Sequence, residues 1–100
     1  MYDRHVITQV EKDKILKNYI KDGKITLFPS KEKKKIVILQ YIIDKFEIHK
    51  KYTEKAVNEI IISMVEDYVS ARRYLIEYGF MDRNNDGSEY WVKDSLTRTK

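Results

Sequence analysis

A chain of one hundred residues with 42% apolar side chains, twelve aromatics and no cysteine is one domain with a core of its own. The missing cysteines exclude disulfide frameworks, thiolate nucleophiles and sulfur-ligated zinc. The formal net charge of +4 invites a nucleic-acid partner, but residues 1–50 hold twelve Lys and Arg against seven Asp and Glu, while residues 51–100 hold eight against nine.

A domain of this length buries about 60–65% of the surface its unfolded chain exposes, so its core has little to spare. No apolar run approaches the ~20 residues that cross a bilayer. The start, Met1-Tyr2-Asp3-Arg4-His5, lacks the apolar stretch and small-residue site of a secretory signal. The expected location is the cytoplasm, with no membrane partner. Residues 1–5 and the polar run 94–100 are expected to fray.

Residues 8–22 read as a first helix. Thr8 and Glu11 stand at capping-box spacing, Gly23 can close it, and Val10, Leu16, Tyr19 and Ile20 make a narrow apolar stripe. This extension, residues 1–23, is expected to lean on the main domain of residues 24–93, and its stripe is a candidate homodimer contact. Lys24 to Phe28 reads as extended, because Pro29 disfavours a helical Phe28.

Ser30 is the expected cap of a second helix running to Phe46. Ile36, Leu39, Ile43 and Phe46 recur at helical spacing, and Val37, Ile38 and Ile42 broaden the face into that of a central helix. Lys31, Lys33, Lys34 and Lys35 at its start oppose the helix dipole. They read as a solvated face or, alternatively, as a site for RNA or anions.

Thr53 caps the next helix, in which Val57, Ile60, Ile61 and Met64 form an i, i+3, i+4, i+7 set. Asp67 caps a further helix from Tyr68 to Tyr78, stopped by Gly79. Phe80 to Arg83 and Glu89 to Lys93 read as strands about an Asn84-Asn85-Asp86-Gly87 turn. The whole is expected to be mainly α with a small β-hairpin: a winged helix-turn-helix with an extra N-terminal helix.

Leu27-x-Pro29, Phe46, Tyr52-Thr53-Glu54-Lys55-x-Val57-Asn58 and Arg72-Arg73-Tyr74-Leu75-x-Glu77-Tyr78-Gly79, completed by Asp82-Arg83 and Gly87-Ser88-Glu89-Tyr90-Trp91, resemble the DUF2087 family. The likeness covers roughly residues 24–93. It implies a bacterial winged-helix domain, found alone or joined to ArsR-like transcription regulators, and carries over no functional residue.

Asp82-x-Asn84-x-Asp86-Gly87 also matches the opening of an EF-hand loop. Its twelfth position is Lys93 where a bidentate Glu is needed, and Tyr90-Trp91-Val92 prefers a strand where a helix should follow. A hairpin is the better reading. His5 and His49 have no metal-spaced partner and no nucleophile motif beside them, and no Gly-rich phosphate loop is present. The expectation is therefore no metal, no cofactor and no catalysis.

Binding is left. If the segment before Gly79 turns Leu75 inward, then Ser70, Arg73, Tyr74 and Glu77 face outward. Arg73 is suited to guanine edges, and Ser70 and Tyr74 to phosphates or bases. Lys51, Lys55, Arg83 and Lys93 can flank them as phosphate contacts. Arg72 falls on the inward side, where an internal ion pair with Asp67 or Asp82 is expected. The functional expectation is a DNA-binding transcription regulator. The alternative is a protein-interaction module that displays Tyr68, Tyr74, Tyr78, Tyr90 and Trp91, since aromatics are enriched at interfaces.

Overall fold

The computed structural model describes residues 8–93, so the expectations for both chain ends, including His5, lie outside the described residues. The described chain is mainly helical, with four helices and two small antiparallel hairpins. Helix α1 spans Gln9–Tyr19, followed by strands β1 (Ile20–Lys21) and β2 (Lys24–Ile25). Helices α2 (Glu32–Ile43), α3 (Glu54–Ile62) and α4 (Tyr68–Glu77) come next, and then β3 (Met81–Arg83) and β4 (Tyr90–Val92). No helix among the described residues is long and apolar enough to cross a membrane.

Helix α1 begins as its sequence requires. The Glu11 amide donates to the Thr8 hydroxyl while the Thr8 amide donates to the Glu11 carboxylate. Its end differs from expectation: the helix stops at Tyr19, and Gly23 is no helix cap. Asp22 (φ 52°) and Gly23 (φ 79°) instead form a two-residue turn between β1 and β2. Two consecutive positive φ angles match the twist of a tight hairpin, and Asp-Gly accepts them at low cost. The apolar stripe also differs. Ile15 is its buried member, Leu16, Tyr19 and Ile20 pack partly against the core, and Val10 stays exposed.

Helix α2 starts one residue later than expected. Lys31 occupies the N-cap with no side-chain cap bond, and Ser30 is exposed outside the helix. Four consecutive buried residues, Ile36 to Leu39, with Ile42, leave α2 apolar nearly all round, the mark of a helix at the centre of a domain. Regular helix ends at Ile43, and Lys45 and Phe46 donate to Ile42 and Ile43 through tighter i→i−3 bonds. Phe46 is still buried, edge-on to Tyr52.

The turn between α3 and α4 is held to the first hairpin by backbone. Ile25 donates to the Met64 carbonyl at 2.7 Å and accepts from the Glu66 amide at 3.0 Å, a parallel bridge between Ile25 and Val65. Tyr52 pairs with Tyr90 in both directions at 2.8 Å, adding a one-residue third strand beside β4.

The end of α4 sets the direction of the second hairpin. Gly79 (φ 80°) donates to Ile76 at 3.1 Å and Phe80 donates to Leu75 at 2.9 Å. This is the two-bond Schellman closure, with the apolar contact between Leu75 and Phe80 that accompanies it. Both residues are fully buried.

The start of α4 carries a titratable cap, because the Ser70 amide donates to the Asp67 carboxylate at 3.2 Å. The Ser70 side chain and backbone, followed by the Arg73 charge, hold Asp67 below the ordinary aspartate range. A depressed folded-state pKa contributes stability above the unfolded pKa, and that contribution fades as pH falls through the folded value. Asp67→Ala is expected to cost about 1 kcal/mol at neutral pH in urea unfolding. The gap from wild type should narrow below the ordinary aspartate range. A gap unchanged at acid pH would show that the charge on Asp67 plays no part in the cap.

Candidate nucleic-acid interface

Helix α4 has an inner edge, two flanks and an outer face. Ala71 and Leu75 are fully buried where it packs on α2 and α3. Arg73 and Glu77 are exposed and Ser70 is half-exposed, as the spacing predicts for an outer face.

The flank toward the second hairpin opens as a cleft of about 410 Å³, lined by Arg72, Arg73, Glu77, Arg83 and Tyr90, with Glu54 across from them. Glu54 ties the walls together. It accepts from the Tyr90 hydroxyl at 3.3 Å and lies 3.7 Å from Arg72, whose guanidinium also donates to the Asn58 side chain. Arg72 is thus the inward arginine the spacing predicts. Its partners are Glu54 and Asn58 on α3, however, and not Asp67 or Asp82, because α4 packs along α3. Burial, and after it the Glu54 charge, push the Tyr90 phenol above its ordinary value.

Arg83 reaches back to its own turn, donating to the carbonyls of Asn84 (3.1 Å) and Asn85 (3.3 Å). In that turn Asn84 and Asp86 accept from the amides of Glu89 and Ser88. The run with the EF-hand-like opening is therefore the bend of a hairpin, with a strand on either side. The Ser88 side chain and backbone lower the Asp86 pKa, with a smaller contribution from Arg83.

The opposite flank of α4 is aromatic. Tyr74 meets Phe28 edge-on at 5.1 Å and Tyr78 at 6.2 Å, and the Lys35 ammonium stands 4.5 Å from the Tyr74 ring centre. Tyr74 is therefore half-buried and packed, not turned outward. Phe28, held in place ahead of the buried Pro29, takes up one edge of its ring. Ser70 and Tyr74 line a notch of about 190 Å³ with Leu27, Phe28 and Asp67, apart from the cleft.

The predicted contacts are thus dispersed. Arg73 and Arg83 share the cleft. Lys51 is 3.6 Å from Glu89 and stands over Trp91. Because successive strand residues face opposite ways, that is the hairpin face turned from Tyr90 and the cleft. Lys55 is exposed on α3 outside the cleft lining, and Lys93 sits half-exposed after β4, its amide donating to Phe80. Sequence reasoning missed Glu54 as the hub of the cleft and Lys35 as a neighbour of α4. Neither has a local signature, since each partner lies far along the chain.

The architecture is that of a small helical domain with two hairpins. A family model described as "Uncharacterized protein conserved in bacteria (DUF2087)" matches residues 24–92, and the chain belongs to that family. No curated protein and no solved structure matches it.

Proposed function

We propose that the chain is a winged helix-turn-helix protein that binds duplex DNA, with α4 in the major groove and the β3–β4 hairpin as the wing. The observation that carries this reading is α4 itself. It is a ten-residue helix anchored by Ala71 and Leu75, presenting exposed Arg73 beside a hairpin that bears Arg83. The element order supports it. Helix α2, the Tyr52 strand, α3, α4 and a hairpin paired back to Tyr52 follow the chain path of a winged helix.

Arg73 takes no part in the Glu54 and Asn58 contacts that hold Arg72, and its exposed fork suits guanine O6 and N7. Glu77 on the same face opposes phosphate, but it suits the N4 amine of cytosine, so it favours base reading over general affinity. The protein-interaction alternative draws less support, because the tyrosines it relies on are spent internally. Tyr90 is buried, Tyr68, Tyr74 and Tyr78 are half-buried against the core, and the half-buried Trp91 has Lys51 over its ring.

Fluorescence anisotropy with labelled duplex across a salt series tests the reading. Log affinity is expected to fall linearly with log salt, and Arg73→Ala to weaken binding to a selected site by about 1–3 kcal/mol. No detectable binding at ~50 mM salt would reject the proposal.

A further inference from the structure

The start of α2, in the basic half of the sequence, meets the helix that the DNA reading places in the groove through Lys35. Lys35 rests on Tyr74 and, at 5.8 Å, on Tyr78, so the start of α2 is held along the flank of α4 opposite the β3–β4 hairpin. Lys31 is the N-cap of α2 and Lys34 the third residue of the helix, so both belong to the same end of α2 as Lys35. Lys35 meets two aromatic rings, whereas Lys33 is bound to Glu11 at 2.9 Å.

We infer that Lys31, Lys34 and Lys35 form a phosphate-contact surface for one strand of a DNA duplex, on the wall of the major groove opposite the hairpin. The reasoning is geometric. An α-helix with its side chains is about 10–12 Å across, and the groove is about 12 Å wide. A helix that fills the groove brings whatever lies along its two flanks against the two phosphate backbones. One flank of α4 faces Arg83, and the other meets the start of α2 through Lys35. Lysine suits this role because a compact, mobile ammonium neutralises phosphate without sequence preference. The cation–π contact holds the Lys35 ammonium over the half-buried Tyr74 ring.

This inference rests on the DNA reading, and one experiment separates the two. Binding of a short random-sequence duplex is measured against salt for wild type, for Lys31→Gln/Lys34→Gln, and for Lys14→Gln/Lys17→Gln on α1, which removes the same charge from two exposed positions. Thermal melts of each variant confirm folding. The expected result is a salt slope smaller by about 1.8 in the α2 variant, about 0.9 for each lost phosphate, and unchanged in the α1 variant. If wild type binds but the α2 variant keeps its slope, or both variants lose equally, the lysine surface is refuted and the DNA reading stands. If wild type shows no salt-dependent binding at all, the DNA reading fails and this inference fails with it.

Discussion

Leu75→Ala is expected to lower unfolding stability by about 2–5 kcal/mol, because the truncated side chain leaves a cavity that a packed core closes only in part. Leu75 is fully buried where α4 meets α2 and α3, and its carbonyl accepts the Phe80 amide that closes the helix. A domain of this size has roughly 5–15 kcal/mol in total, and each kcal/mol moves its melting temperature by about 4–8 °C. The melt should therefore drop by roughly 10 °C or more, with a matching shift in the urea midpoint. Leu75→Met conserves volume and should cost less than about 1.5 kcal/mol. Should the alanine variant lose under about 1 kcal/mol, Leu75 would not be filling the core, and α4 would not present Arg73 as described.

Adjacent arginines are expected to behave in opposite ways. The Arg72 side chain is only 21% exposed, and its guanidinium joins Asn58 and Glu54 on α3 to α4. Hydrogen bonds to a charged group contribute about 1.5–3 kcal/mol, and Arg72→Ala should cost an amount in that range. Glu54 is about half exposed (48%), so the ion-pair share of that loss is small and screened by salt. A cycle of Arg72→Ala, Glu54→Ala and the double variant should give a coupling of at least about 0.5 kcal/mol. Arg73→Ala, on the outer face, should change stability by no more than about 0.5 kcal/mol while weakening DNA binding. Finding that Arg72→Ala leaves the melt untouched would remove the network from the account of how α4 is held against α3.

The same pair shows how far the sequence can be read. Periodicity separates Arg72 from Arg73, because a burial stripe with a 3.6-residue repeat assigns each residue a side of its own helix. It does not reveal that the inward arginine meets Glu54 and Asn58, since that depends on which helix packs alongside. The end of α1 departs from its local sequence signal for a related reason. A glycine after a helical run signals a stop in either context, and the Asp22-Gly23 hairpin turn becomes distinguishable only once β1 and β2 pair. Ser30 was the better cap by propensity, yet α2 opens at Lys31 without a side-chain cap, its position set by the burial of Ile36 to Leu39.

By itself the sequence determined the elements with strong local chemistry. These are the capping box at Thr8, the caps at Thr53 and Asp67, the Gly79 stop, the Asn-Asp-Gly bend between β3 and β4, and the broad apolar face of α2. Each arises from interactions within a few residues, so the residues alone specify it. Tertiary structure decided what lies beside what: Lys35 over Tyr74, Phe28 against the same ring, Glu54 between Arg72 and Tyr90, and Tyr52 beside β4. The charge balance shows the difference most clearly. Along the chain the basic half is remote from α4, whereas in the fold one of its lysines, Lys35, stands on that helix's flank, because burying the apolar face of α2 carries its charge there.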